Sequence, residues 1–195
     1  MGALAHVRTP PDRGSCGAGT RRTPRRSVEA DRGTELRGFE GQQGAVHAIE
    51  DALGGSLNGR AIAVLGVTFK PETDDMRDSP SLTIVPALVG GGARVRTVDP
   101  QGRREGEALL PGVSWMDDPY EAAEGADLLV VLTEWNEFRA LDLSALSERM
   151  SVPRMADLRN VYSRKEALAG GFTVYDSVGR VGSAALDSTM VQAAQ

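Results

Sequence analysis

The chain has 195 residues and a formal net charge of −5, and it is 41% hydrophobic and 25% charged. These values fit an ordinary globular protein with one domain and a tail, or with two very small domains. Residues 1–37 hold eight Arg and four acidic residues, so this stretch carries about +4 and the remainder about −9. The acidic remainder argues against nucleic acid as the main partner, because phosphate binding needs clustered cations.

The single cysteine, Cys16, excludes an internal disulfide framework and fits a reducing cytoplasm, which is the predicted location. The N-terminus lacks the basic and apolar regions of a signal peptide, and no apolar run of about 18 residues predicts a membrane span. His6 and His47 have no partner at metal-ligand spacing, so no metal site is predicted. Cys16 lies in a Gly-rich segment that is not expected to position a thiol or lower its pKa, so no catalytic residue is predicted either.

The N-terminal segment, residues 1–44, is rich in Gly, Arg, Pro and Thr and lacks apolar periodicity, which predicts disorder. Its basic run at 21–26 is suited to an anionic surface, although a solvated tail is favoured. Because the composition changes abruptly near residue 45, a misread start of a truncated gene is a further interpretation. Residues 45–58 predict the end of a longer helix, with Val46, Ile49 and Leu53 at helical spacing and a Gly54-Gly55 stop.

Beyond residue 59 the sequence alternates between strand and helix patterns. Ala61 to Val67 is nearly all apolar, as a strand buried on both faces should be. Further strands are predicted at 93–98, 127–133, 152–156 and 172–178, and helices at 79–88, 119–124, 143–150 and 164–169. This alternation predicts an α/β fold with a doubly wound, mostly parallel sheet. The predicted domain spans 59–180, and 181–195 form a flexible tail.

The loop after the first strand, residues 67–80, is a candidate anion site. Ligands of open α/β sheets bind beyond the carboxyl ends of the strands, and the N-terminus of the following helix attracts anions. Lys70 is one of only two lysines, and both it and Arg77 are placed to meet phosphate charge, while Phe69 is suited to stack on a base or cover a sugar. The loop is neither a dinucleotide fingerprint nor a Walker A loop.

The alternative interpretation of this loop is a polar connection whose charges pair locally. The candidate pairs are Lys70 with Glu72 and Arg77 with Asp74 or Asp78.

Other strand ends also carry candidate residues. Asp99 could bind a ribose hydroxyl, but without a glycine fingerprint a turn is favoured. Arg159 is suited to grip a diphosphate with its planar fork, or alternatively pairs with Asp157 at the surface. Trp135 and Phe138 are predicted to cap the core at a strand–helix junction rather than to bind ligand.

Four segments together resemble one family in their order and spacing. They are VLGVTFKPETDDMRDSPS at 64–81, VDP at 98–100, LTEWNEF at 132–138 and DLRNVYS at 157–163. The stretch is similar to the C-terminal, nucleotide-sugar-binding domain of the UDP-glucose/GDP-mannose dehydrogenase family. This resemblance implies a Rossmann-like domain, a second domain that binds NAD, a long central helix between them, and an oligomeric enzyme.

The resemblance also implies roles for individual residues. Phe69, Lys70 and Arg159 match UDP-sugar contacts of the family, and Arg77 matches an arginine that reaches NAD held by the other domain. The NAD fingerprint is absent, and the surroundings of Cys16 do not match the family's catalytic thiol motif, so a chain that is inactive alone is expected.

Three functions remain open at this stage. The first is a fragment of the UDP-glucose branch, which oxidises UDP-glucose to UDP-glucuronate with NAD. The second is a binding or interaction module that pairs with a separate N-terminal dehydrogenase half, and the third is the same chemistry on GDP-mannose or a UDP-N-acetyl sugar. In the fragment reading, an exposed apolar surface is expected where the missing half would dock.

Overall fold

The computed structural model describes residues 39–177. Most of the predicted N-terminal segment, the predicted C-terminal tail, His6 and Cys16 lie outside these residues. The described part contains helices α1 (Phe39–Ala52), α2 (Ser81–Gly90), α3 (Arg103–Leu109), α4 (Pro119–Ala123), α5 (Asn136–Arg139), α6 (Leu143–Arg149) and α7 (Arg164–Ala169). Its strands are β1 (Ala61–Leu65), β2 (Arg94–Val98), β3 (Ser114–Trp115), β4 (Leu128–Val131), β5 (Arg154–Asp157) and β6 (Val174–Ser177).

The strands of the described chain form one sheet in the order β3-β2-β1-β4-β5-β6, and every neighbouring pair is parallel. Ile62 of β1 lies opposite Val95 of β2 on one side and Leu128 of β4 on the other. The chain therefore moves outward from β1 in one direction and then restarts at β4 in the other. This order is that of a Rossmann-like sheet, whose switch point falls between β1 and β4. The predicted doubly wound α/β fold is confirmed.

Helices cover both faces of the sheet because the strand side chains alternate in direction. Ile62 and Val64 belong to a core shared with α1 and α2, whereas Ala63 and Leu65 belong to a core shared with α4, α5, α6 and α7. All five residues of β1 are buried, which agrees with its continuous apolar sequence. Burial on both faces makes β1 the rigid centre from which the loop at 66–80 departs.

Three short elements, α3, β3 and α5, were not predicted. The sequence of α3 has little apolar periodicity, and Gly106 interrupts it. That glycine is required by packing, because a Cβ there would lie 2.4 Å from the ring of Trp115 in β3. The long-range contact between Gly106 and Trp115 joins the two elements, and a local pattern does not contain it.

The start of α2 also differs from the prediction, which placed Ser79 at the start of the helix. The helix begins at Ser81, after Pro80. The Ser79 and Ser81 hydroxyl groups both donate to the carbonyl oxygen of Val67. These serines therefore attach the helix to the loop that leaves β1.

Within residues 39–177, we find no helix with the length and apolar character needed to cross a bilayer.

Candidate functional site

Asp99, at the end of β2, is the buried centre of the carboxyl edge of the sheet. Its Oδ1 accepts hydrogen bonds from the backbone N–H groups of Gln101, at 3.0 Å, and Gly102, at 2.7 Å. The predicted turn is therefore confirmed. Its Oδ2 accepts from the backbone N–H groups of Val67, at 2.7 Å, and Thr68, at 3.1 Å, and from Nε1 of Trp135, at 3.3 Å. Both carboxylate oxygens therefore accept hydrogen bonds from the chain itself rather than from a ribose hydroxyl.

The backbone at 66–68 is held on a second side by Thr133, which follows β4. Its hydroxyl donates to the carbonyl oxygen of Thr68 at 2.7 Å. Gly66 has φ +81°, and a Cβ at this position would lie 2.5 Å from Cβ of Thr133. Only glycine combines this backbone conformation with so close an approach. The loop is consequently anchored immediately before Phe69 and Lys70.

Lys70 leaves this anchored backbone as an exposed cation. It makes no ion pair with any residue that the structure describes, so the alternative pair with Glu72 is not formed. Phe69 is half-buried, and its backbone N–H donates to the carbonyl oxygen of Asp75 at 2.9 Å, which closes the loop. Glu72, inside this closed segment, has φ +60°. Lys70 is therefore held by its backbone, with its ammonium group available to a ligand.

Arg77 pairs locally, as in the alternative interpretation of the loop, but its partner is Asp75 rather than Asp74 or Asp78. Its backbone N–H, Nε and Nη2 each donate to the Asp75 carboxylate at 2.9 Å. These hydrogen bonds lower the pKa of Asp75 to about 2. The Asp75 side chain accepts the backbone N–H and the guanidinium together because the turn brings both to one side. The arginine side chain nevertheless remains 89% exposed.

An open cleft of about 520 Å³ lies beside Arg77 and is also lined by Asp74, Glu105 and Leu109. Leu109 is 48% exposed and is the one exposed large apolar side chain among the described residues. The expected apolar surface for docking of a second domain stays a prediction.

Arg159 follows β5 and is held by Glu134 rather than by Asp157, its partner in the alternative interpretation. Its Nη2 donates to Oε1 of Glu134 at 2.8 Å, and its Nε donates to Oε2 of the same carboxylate. The side chain is 16% exposed, so Arg159 is not the surface arginine of the alternative interpretation. Asp157 instead accepts from the backbone N–H groups of Arg159, at 3.1 Å, and Tyr162, at 2.8 Å, and so shapes the turn.

Two consecutive residues connect the loops on either side of β4. Thr133 bonds to the loop after β1, and Glu134 bonds to Arg159 after β5. Because β4 lies between β1 and β5 in the sheet, these contacts tie the segments that carry Lys70 and Arg159 to one short connection. The sequence analysis did not single out Thr133 or Glu134. The available signal was the position of a carboxylate directly after a buried strand at the switch point.

The aromatic residues of this connection have the predicted role. Trp135 and Phe138 are each 1% exposed and pack in the core that contains α6 and α7. Nε1 of Trp135 finds its acceptor in Asp99, as a buried indole requires. The aromatic pair therefore attaches this connection to the core.

The described residues lack two features of a dinucleotide-binding Rossmann site. The loop after β1 has no glycine fingerprint, and the Asp99 carboxylate, which would receive a ribose hydroxyl in such a site, is filled by internal donors. Arg77, which the family resemblance matches to an NAD contact, is exposed and paired with Asp75. Within residues 39–177, three or more His, Cys, Asp or Glu side chains are nowhere grouped as metal ligands.

A parallel sheet in this strand order, with polar loops at its switch point, defines a Rossmann-like domain. Residues 63–164 match the UDP binding domain of the UDP-glucose/GDP-mannose dehydrogenase family, and the chain belongs to this family. The family resemblance of the sequence motifs is thereby confirmed.

Known proteins similar to this chain extend well beyond it. UDP-glucose 6-dehydrogenase of Rhizobium meliloti is 53% identical over 129 residues, which are 66% of this chain and 29% of that protein. The structure of a UDP-glucose dehydrogenase from Pyrobaculum islandicum matches with a TM-score of 0.58 and 30% identity, over 69% of this chain and 28% of that one. A UDP-D-ManNAc dehydrogenase from Pyrococcus horikoshii matches with a TM-score of 0.59 and 28% identity, over 72% and 31%. The chain thus spans about three-tenths of the proteins it matches.

Proposed function

We propose that residues 59–180 are the UDP-sugar-binding domain of an NAD-dependent UDP-glucose 6-dehydrogenase that works in the cytoplasm. Residues 45–58 would be the end of the helix that leads to the NAD-binding half. The similarity to UDP-glucose 6-dehydrogenase of Rhizobium meliloti supports the choice of substrate. A domain that holds only the nucleotide sugar cannot oxidise it, so we expect the chain to be inactive without its NAD half.

The observation that carries this proposal is the joining of two cation-bearing loops at the switch point of the sheet. Thr133 and Glu134 link the loop of Lys70 to the segment of Arg159 across one strand. A diphosphate carries clustered negative charge, which a lysine point charge and an arginine fork complement in different ways. The carboxyl edge of the sheet is also where ligands of such folds bind.

Phe69 and Arg77 complete the proposed contacts. Phe69 is half-buried beside Lys70 and is suited to cover the nucleoside or the sugar. Arg77 is exposed, and we propose that it contacts NAD held by the second domain. Because Arg77 faces another domain in this proposal, its replacement should leave UDP binding by this chain unchanged.

The first test is calorimetric titration of the purified chain with UDP-glucose. We expect weak binding that Lys70→Ala and Arg159→Ala each lower below what calorimetry detects. The matched control is Lys165→Ala, which removes the other lysine of the chain from an exposed position on α7. A folded wild-type chain that binds no UDP-glucose, or binding that survives both substitutions, would contradict the proposal.

A second candidate is a nucleotide-sugar-binding module that pairs with a separate dehydrogenase polypeptide. It is supported by the match of residues 63–164 to a UDP binding domain. Mixing the chain with NAD and UDP-glucose and following NADH absorbance should give no product. The same assay with a separately produced NAD-binding half of a relative should restore turnover only if the two parts associate.

Another sugar is a third candidate, supported by the match to a UDP-D-ManNAc dehydrogenase. Parallel titrations with GDP-mannose and a UDP-N-acetyl sugar would decide the substrate. Tighter binding of either ligand than of UDP-glucose would replace the proposed substrate and leave the nucleotide-sugar site in place.

A further inference from the structure

Glu134 and Arg159 form a two-point ion pair at the carboxyl edge of the sheet. The carboxylate accepts from Nε and from Nη2 of the guanidinium, the latter at 2.8 Å. The two side chains are 28% and 16% exposed, so the pair is largely shielded from solvent. A guanidinium that is shielded from solvent and held by two hydrogen bonds has one orientation instead of many.

The pair occupies only one edge of the guanidinium. An arginine side chain carries five N–H donors, and Glu134 takes one from Nε and one from Nη2. The outer edge, formed by Nη1 and the second hydrogen of Nη2, keeps a parallel pair of donors that suits phosphate oxygens. Glu134 therefore leaves the anion-binding edge of Arg159 in place.

Glu134 is itself well fixed by its neighbours in the chain. The preceding residue, Thr133, is bonded to the carbonyl oxygen of Thr68, and the following residue, Trp135, is buried and bonded to Asp99. Partial burial acts to raise the pKa of Glu134, but the hydrogen bond and charge of Arg159, a backbone hydrogen bond and the charge of Arg139 together outweigh burial, so the pKa is lowered overall. Glu134 is consequently an ionised, immobile support at neutral pH.

We propose that Glu134 is the positioning residue for Arg159: it holds the guanidinium so that its outer edge faces the diphosphate of the nucleotide sugar. This inference rests on the proposed function and assigns to Glu134 a part in substrate recognition. Glu134 acts through Arg159, so its contribution should appear with ligands that carry a diphosphate and not with ligands that lack one.

The test compares UDP and uridine as ligands, with weak binding followed by chemical-shift changes in NMR titrations. For Glu134→Ala we expect affinity for UDP to fall about tenfold, as is typical when a supporting hydrogen bond to a binding group is lost. Uridine affinity should stay unchanged. Glu134→Gln keeps one acceptor for Arg159 and should give a smaller loss, and it also serves if the alanine variant fails to fold.

The matched control is Glu148→Ala, which removes an exposed carboxylate from the last turn of α6, the end of that helix nearer the amino edge of β5. It should leave the affinity for both ligands unchanged. The loss caused by Glu134→Ala should also disappear in an Arg159→Ala background, because the two residues act as one unit.

The outcomes separate the two proposals. If wild-type chain does not bind UDP, the proposed function fails and the role of Glu134 fails with it. If wild-type chain binds UDP but Glu134→Ala binds it equally well or more tightly, Glu134 does not position Arg159, while the proposed function stands. Equal losses of UDP and uridine affinity, persisting without Arg159, would show a structural role only and would also overturn the inference.

Discussion

The loop after β1 and the segment after β5 hold their cations in different ways. Lys70 is exposed and without an ion pair in the described chain, and the backbone before it is anchored by buried hydrogen bonds to Asp99 and Thr133. Arg159 is largely buried, and its guanidinium is itself held by Glu134. In the first region hydrogen bonds hold the backbone but not the charged group, whereas in the second they hold the charged group itself.

The difference follows from the chemistry of the two cations. An ammonium group is a compact, strongly hydrated point charge that approaches a phosphate from many directions, so only the root of its side chain needs to be fixed. A guanidinium recognises two oxygens with parallel donors and gains from being held in one plane. Glu134 holds the guanidinium in one plane, but it also places a negative charge beside the cation.

The largest expected effect comes from breaking the anchor of the first region with Asp99→Asn. The amide NH₂ group would face backbone donors that now bond to a carboxylate oxygen, so the free energy of unfolding should fall by about 4 kcal/mol. Denaturant unfolding monitored by tryptophan fluorescence measures it. The control Asp117→Asn removes an exposed carboxylate that pairs with Arg103 and should leave the unfolding midpoint unchanged. Equal effects of both variants would show that Asp99 is not an anchor.

A slightly smaller effect is expected from Gly66→Ala at the base of the same loop. The new Cβ would combine a φ of +81° with a contact 2.5 Å from Cβ of Thr133, which should lower the free energy of unfolding by about 3 kcal/mol. Gly125→Ala is the matched control, because φ is +62° there but the nearest atom is 3.7 Å away. It should cost only about 1 kcal/mol for the backbone conformation alone. A similar loss for both variants would refute the close packing of Gly66 on Thr133.

The smallest effect concerns the second region and depends on pH. Because the pKa of Glu134 is lowered in the folded chain, its contribution to stability is complete above the ordinary glutamate pKa and is lost as pH falls through the folded value. The difference in unfolding free energy between wild type and Glu134→Gln should therefore shrink below about pH 4. Denaturant unfolding at several pH values measures it. A difference that stays constant from neutral to acidic pH would mean that the ion pair with Arg159 does not stabilise the fold.

Elements with strong local patterns were predicted well, and elements made by distant contacts were not. The apolar runs of β1 and β4 and the alternation of strands with helices led to the correct fold class. The short α3 and β3 were missed because they are joined by a long-range contact between Gly106 and Trp115, which no local sequence pattern indicates. Boundaries were less accurate for the same reason: α2 begins at Ser81, and the Ser79 hydroxyl donates to the distant carbonyl oxygen of Val67.

For the candidate site, the sequence predicted which cations lie at strand ends but not what surrounds them. The alternative pairings of Arg77 with Asp74 or Asp78 and of Arg159 with Asp157 were chosen by chain proximity, and the structure shows other carboxylates in both places. Arg77 binds Asp75 because the turn brings both its backbone N–H and its guanidinium to that carboxylate. Arg159 binds Glu134, which is 25 residues away in the chain but follows the neighbouring strand.

By itself the sequence determined the fold class, the family and the positions of Phe69, Lys70, Arg77 and Arg159 at loops near the carboxyl ends of strands. It could do so because apolar periodicity and family motifs are written along the chain. Only the tertiary structure decided that Asp99 serves as an internal anchor, that Lys70 stays without an ion pair in the described chain and that Glu134 holds Arg159. These features depend on which strands become neighbours, and the parallel sheet brings together strand ends that lie far apart in the chain.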